Sequence, residues 1–320
     1  MPERLADQGA ENLAGGGEST RTVIIAFFAN LAIALAKSVV AAISGSASML
    51  AEAAHSWADT GNQVLLFIAD RRGRKDPDAT HPFGYGREAY VWSMFAALGL
   101  FTVGAAVSVW HGIDQLIAGG GEGEYTWAYV VLGVSFLFEG ASFLQAFRQT
   151  RSEADHLDRE VLDHALRTSD PTLRAVFAED SAALVGLVIA AVGVGLHQLT
   201  GQAAWDAIGS ILVGLLLAVV ALVLVRRNLR FLTGEESDQR LRQAAISTVK
   251  SMDSVERVTY LRMEYVGPRK VLLVAAVDIH GDQAEPDVAR QLRAVEAELE
   301  KDPNIVDAVL TLSTPDEQSL

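Results

Sequence analysis

Four stretches of roughly twenty apolar residues, 22–43, 90–110, 125–147 and 206–225, are each long enough to cross the hydrocarbon core of a bilayer as a helix. Backbone amides in lipid must be satisfied within their own segment, so such stretches commit a chain to membrane helices. Two further stretches, 46–68 and 172–196, are helical in composition but carry charges, and a hydropathy window scores both poorly. The placement of lysine and arginine decides whether they also cross.

The link after 46–68 holds Arg71, Arg72, Arg74, Lys75 and Arg87, and the link after 125–147 holds Arg148, Arg151, Arg159 and Arg167. Arg226, Arg227 and Arg230 follow the last apolar stretch, whereas 111–124, 197–205 and the turn near Gly45 hold neither lysine nor arginine. Cytoplasmic links carry the positive charge. Four spans would put a basic cluster outside; six put every one inside, with both termini cytoplasmic. The expectation is a multi-pass α-helical membrane protein with six transmembrane helices over residues 22–233.

The polar, glycine-rich residues 1–21 read as a flexible cytoplasmic N-terminus without a cleavable leader. From Glu235 onward, 17 acidic and 10 basic residues carry a charge of −7, half of the chain's −14. No apolar run there is long enough to span. Its pattern predicts a helix over 237–252, strands over 255–265 and 270–280, a helix over 285–301 and a strand over 305–312. That αββαβ order, with antiparallel strands, describes a small cytoplasmic α+β domain over 234–320. The acidic balance excludes nucleic acid as a partner. The absence of cysteine removes thiolates, so any metal site must use His, Asp and Glu.

Within 46–68, Ser48, Glu52, His55, Asp59 and Asn62 are spaced 4, 3, 4 and 3 residues apart, which places all five on one helix face. Such a stripe must face a bundle interior or a hydrated path. His55 and Asp59, one turn apart, can reach a single cation and make half of a tetrahedral site. The fifth segment offers the adjacent Glu179 and Asp180, about 100° apart on a helix; spacing alone does not choose between them. Lys37 and Glu139 read as a structural ion pair. His111, His197 and His280 read as ordinary surface or interfacial histidines.

These residues carry a resemblance. Asn30, Lys37, Ser44-Gly45-Ser46-Ala47 and Glu52 through Asp59 resemble the first two spans of the cation diffusion facilitator family, and His81 through Glu88 looks like its signature between spans two and three. Phe138 through Ser142 and Glu179 through Ala183 are similar to the branch that includes the mitochondrial zinc transporter 9. The resemblance implies a dimeric divalent-metal/proton antiporter of six spans with a cytoplasmic ferredoxin-like domain, not an enzyme, using no prosthetic group. It also implies paired metal motifs on spans two and five. His55 and Asp59 match the first, while the second keeps Asp180 but has Leu184 where a ligand is usual, so that Glu179 or Glu52 would complete the set. A second, weaker site would hold Asp78 and His81, with Tyr85 in place of a histidine. With one His280 in the C-terminal domain and only His156 and His164 between spans four and five, regulatory zinc binding is not expected.

The expected activity is outward transport of Zn²⁺ in exchange for H⁺, with the ion on His55, Asp59 and Asp180 near mid-membrane and access alternating between the two faces. Mn²⁺, Fe²⁺ or Co²⁺ also suits an oxygen-rich site. Rival readings are a membrane metalloenzyme with Glu52 or Glu179 as general base, and a metal sensor or docking module on a degenerate transporter. Expected partners are the divalent ion, membrane lipid and a second copy; a cytoplasmic ion pair of Arg87 with Glu235 or Glu236 beside the C-terminal domain would give the dimer indirect support. Alanine-rich spans suggest a bacterial inner membrane.

Overall fold

The computed structural model describes residues 20–119, 125–156 and 160–320. The polar N-terminal segment and the glycine run after Gly119 therefore lie outside the described residues, apart from the first turn of the first helix. The chain forms two compact units, one of residues 19–71 and 89–229, the other including 72–88 and 230–320.

The first unit is helical: α1 (Thr20–Ser44), α2 (Ala47–Gly73), α3 (Gly86–Ala96) continued through a π-helical turn (Ala97–Phe101) into α4 (Thr102–Ala118), α5 (Thr126–His156), α6 (Val161–Arg167), α7 (Pro171–Thr200) and α8 (Ala204–Leu232). Five segments among the described residues are long and apolar enough to cross a membrane: Phe27–Ser44, Gly86–Ala118, Thr126–Asp155, Pro171–Thr200 and Ala204–Leu232. α7 is among them, which corrects the expectation that hydropathy would overlook it. Its two acids are diluted by long apolar runs on either side. α2, of 27 residues, is not apolar enough to qualify, because its polar stripe occupies one whole face.

Two apolar clusters hold the helices together. One joins Ala51 and Leu66 of α2 and Ala175 of α7 to Phe101, Ala105 and the α8 residues Val213, Leu217 and Leu224. The other joins Met49 of α2 and Leu187 and Ala190 of α7 to Val40 and Ala41 of α1 and to Ala128 and Leu132 of α5. Only α2 and α7 contribute buried residues to both, so they form the middle of the bundle. Alanine recurs at these contacts because small side chains let backbones approach closely. Large apolar side chains point the other way, as on α5, where Leu137 is 73% exposed. Such a surface suits lipid rather than water.

The second unit contains α9 (Gln239–Lys250), β1 (Val255–Gly267), β2 (Lys270–Ile279), α10 (Glu285–Leu299) and β3 (Ile305–Leu312) in one sheet of order β1-β2-β3. Alternate β2 residues, Val271, Leu273, Ala275, Val277 and Ile279, are buried and pack with Ile246 and Val249 of α9 and Val295 and Leu299 of α10. Both helices therefore cover one face of the sheet. β1 and β2 are antiparallel, but β2 and β3 are parallel, which corrects the all-antiparallel expectation. The chain returns over α10 before entering β3, and a helical crossover of this kind delivers the next strand in the same direction.

Residues 72–88 belong to this unit. Gly86 passes so close to the β1 end that a Cβ there would meet Gly267 Cα at 2.6 Å, and one on Gly267 would meet Gly86 Cα at 2.7 Å. Only glycine at both positions allows the crossing. One residue on, Arg87 bonds Glu264 of β1 at 2.8 Å. Glu264 thus takes the place expected for Glu235 or Glu236; Glu235 is held by a two-pronged contact with Arg230.

Candidate metal centre

α2 owes its start to a distant residue. Asp206, in the first turn of α8 and fully buried, accepts hydrogen bonds from Ser46 Oγ at 2.8 Å, Ala47 N at 2.7 Å and Ser48 N at 3.2 Å. Ser46 Oγ in turn accepts Met49 N at 3.1 Å. The free amides of a helix N-terminus are thereby satisfied, and a carboxylate favours that end of the helix dipole. Ser48 Oγ donates to the Asp206 carbonyl at 2.7 Å, fixing the rotation of α2 about its axis. With that rotation set, the whole stripe of Ser48, Glu52, His55, Asp59 and Asn62 is buried.

His55 Nδ1 lies 3.4 Å from Asp59 Oδ1. Neither atom makes a hydrogen bond, and neither does His55 Nε2; all are buried. Two ligand atoms about 2.0–2.1 Å from one tetrahedral ion are themselves separated by about 3.3 Å. Buried polar atoms without partners are costly and rare, so a facing pair at this separation calls for an explanation. The Phe101 ring, at the π-helical turn, lies 6.5 Å from the imidazole between centroids and closes that side.

α7 presents its two acids to different neighbours. Glu179 accepts a short hydrogen bond from the Asn62 amide and contacts the Asp59 carboxyl. Asp180 accepts Ser142 Oγ of α5 at 2.8 Å. The α7 carboxylate bonded to α2 is therefore Glu179, which lies beside Asp59 in addition to the expected Asp180. Asp180 remains in electrostatic reach of Asp59. One turn to either side of Asp180, Val176 and Leu184 are apolar, and Leu184 lies beside Gly140 of α5. In this part of α7 the candidate ligands are thus the adjacent pair.

Glu52 is paired on the α1 side. Its Oε2 lies 3.1 Å from Lys37 Nζ, both side chains being fully buried. Glu139 is the farther partner of Lys37, at 3.9 Å, so the expected Lys37–Glu139 pair is instead a triad led by Glu52. As the side chains lie, no group of three or more His, Asp and Glu among the described residues is gathered tightly enough to hold an ion.

The residues expected to form a weaker second site lie in a hydrogen-bonded loop. Asp78 accepts Thr80 Oγ1 at 2.6 Å, Tyr85 OH at 2.7 Å and the amides of Thr80 and His81 at 2.8 and 2.9 Å. The Thr80 hydroxyl first, and Tyr85 next, hold its carboxyl well below the usual carboxylate range. His81 Nδ1 lies 2.9 Å from Thr80 Oγ1, and its ring stacks on Tyr85 at 3.9 Å. Both Asp78 oxygens and His81 Nδ1 are thus engaged in a hydrogen-bonded turn.

Sequence reasoning missed three further groups. Asp206 registers in the sequence only as the start of a span, because the helix it caps lies some 160 residues earlier. Arg174, buried in α7, donates to Thr168 O at 2.7 Å and Asn228 Oδ1 at 2.5 Å, and Asn228 continues to Ser93. A positive charge in an apolar stretch was the available signal. His197 is buried rather than superficial, with Nδ1 3.0 Å from Tyr125 OH. His280 is exposed, 3.8 Å from Glu256.

A helical membrane unit with a buried acidic cluster between its two central helices, joined to a small sheet domain, defines an ion-handling integral membrane protein. Residues 23–233 match the cation efflux transmembrane domain, and the chain belongs to that family. It is 35% identical over 263 residues to Metal tolerance protein C4 of Arabidopsis thaliana, covering 82% of this chain and 58% of the relative. It is 34% identical over 238 residues to the mitochondrial Proton-coupled zinc antiporter SLC30A9 of Mus musculus, covering 74% and 42%. An uncharacterized transporter of Methanocaldococcus jannaschii is 23% identical over 279 residues, covering 87% and 91%. The chain thus spans about half the length of the first two relatives. The family and these relatives are transporters, not enzymes.

Proposed function

We propose that this chain exports Zn²⁺ across six spans in exchange for protons, α2 being the sixth. The ion binds His55 and Asp59 of α2 and Glu179 of α7, with Asp180 at its margin, and access alternates between the faces. The observation that carries this reading is the pair His55 Nδ1 and Asp59 Oδ1, buried, without hydrogen bonds and 3.4 Å apart. The mammalian relative named a proton-coupled zinc antiporter supports the choice of ion and of coupling. Ligand atoms must lose protons to bind metal, so the opposite face can release the ion by protonating them. The basic links support a cytoplasmic face for both termini and residues 234–320; the membrane in this reading is a bacterial inner membrane and the working form a homodimer.

The oxygen-rich remainder of the cluster favours Mn²⁺ as the second reading. Proteoliposomes with an imposed pH gradient separate the two. Zn²⁺ uptake that collapses with the gradient is the expected result. Mn²⁺ flux in preference to Zn²⁺ selects the second reading, and metal binding without flux of either ion leaves a sensor.

A further inference from the structure

Glu52, Asp59, Glu139, Glu179 and Asp180 bring five carboxyl groups into the middle of the bundle, yet one of the cluster's cations is already supplied by the chain. Lys37 Nζ, fully buried, lies 3.1 Å from Glu52 Oε2 and 3.9 Å from Glu139 Oε1. Lys37 also acts electrostatically on His55 and Asp59. The other oxygen of Glu52, Oε1, is buried and makes no hydrogen bond. It rests against α7 at Gly186, where a Cβ would come within 2.6 Å of it. Glycine at 186 thus gives Glu52 room between α2 and α7, on the stripe one turn from His55, while Lys37 holds it from the α1 side.

We propose that Lys37 is a tethered cation that sets the affinity of the transport site by withholding Glu52 and Glu139 from the metal. It is a positioning residue, not a ligand. A site with every carboxylate free would bind a divalent ion too tightly to release it. An ammonium fixed beside the site repels the ion and neutralises acids that would otherwise attract it, and in a buried site such an effect is large. Lysine delivers the charge at one compact point, which suits a place between two carboxylates on different helices.

The proposal rests on the transport-site reading above, and its test separates the two. Zn²⁺ binding to the purified full chain is measured by calorimetry at neutral pH for the parent, Lys37→Gln, Glu52→Gln and the double variant. Lys37→Gln is expected to bind Zn²⁺ at least about tenfold more tightly, with KM and kcat for flux both falling as release slows. Glu52→Gln is expected to bind about tenfold more weakly, because the ammonium is then less neutralised. The double variant returns to within about threefold of the parent. Unchanged or weaker binding by Lys37→Gln overturns the proposal, since a purely structural lysine would lower Tm and leave Kd alone. A double variant as weak as Glu52→Gln also overturns it, by making Glu52 a ligand. If Lys37→Gln fails to fold, the double variant, which removes both members of the closer ion pair together, decides against Glu52→Gln by the same comparison. A parent that binds no Zn²⁺ removes the transport-site reading itself, and the proposal with it.

Discussion

α2 and α7 occupy equivalent central places, yet they present their polar groups differently. On α2 a 4-3-4-3 spacing puts five polar side chains on one face, and all five are buried. On α7 two acids stand side by side, and the helix divides them between α2 and α5. One helix therefore supplies a preset wall; the other supplies one carboxylate to that wall and ties the second to Ser142. The difference teaches that a stripe fixes what a helix faces, whereas adjacency leaves it to the neighbours. The largest expected effect breaks the wall itself: Asp59→Ala or His55→Ala should lower pH-driven Zn²⁺ uptake into proteoliposomes by at least about 100-fold, since losing even an outer partner of a ligand costs 10–100-fold. Parental flux in either variant would remove α2 from the site.

The second prediction sharpens the comparison by dividing the adjacent pair. Glu179→Gln should reduce Zn²⁺ affinity by about 10–100-fold, and Asp180→Asn by less than about tenfold, read by calorimetry on the purified protein. The reverse order would turn α7 by one residue and return the third ligand to Asp180. How much could be read beforehand follows the same physics. Periodicity identified the α2 stripe because burial and spacing share the helical period. It could not separate Glu179 from Asp180, because that choice depends on Asn62 and Ser142, which come from different helices. Lys37 showed the same limit: its charge in an apolar span promised a partner, but its closer carboxylate is Glu52 and not Glu139. In the sheet domain the element order was legible from alternation, and β3's direction was not, because strand propensity carries no polarity.

The ends of the two helices differ as their faces do. α7 is capped locally, Asp170 accepting Thr172 N at 2.9 Å and Leu173 N at 3.2 Å, in a run whose Asp-Pro signature is visible in sequence. α2 is capped from afar by Asp206, which serves two amides and a hydroxyl in a fully buried place. Removing a local cap costs about 1 kcal/mol. Removing Asp206 also strands buried donors, and the expected cost is about 2–3 kcal/mol. Thermal unfolding in detergent should therefore rank Asp206→Ala as clearly less stable than Asp170→Ala. Equal losses would mean that the remote cap holds α2 no more firmly than an ordinary one, and the rotation of the stripe would need another cause.

The smallest effect is expected just beyond the end of α2, where Asp78 and His81 repeat the residue types of the metal wall but both Asp78 oxygens are already bonded. Each Asp78 oxygen has a donor, chiefly the Thr80 and Tyr85 hydroxyls, so its carboxyl is held below the usual range and Tyr85's phenol is raised above its own by the same bond. A carboxyl depressed on folding contributes stability above its unfolded value, about 3.9, and loses that contribution as pH falls through the folded value. Between pH 5 and 8 the contribution of Asp78 should thus be insensitive to acid, whereas Zn²⁺ binding at His55 and Asp59 should weaken as the ligands take up protons. Asp78→Ala should speed trypsin cleavage after Arg74 or Lys75 by a few-fold, roughly what a lost exposed hydrogen-bond hub allows, while leaving Zn²⁺ affinity at the parental value. A loss of affinity in that variant would restore the second site. Its absence would show that His and Asp at close spacing bind metal only where the fold leaves their atoms without other partners.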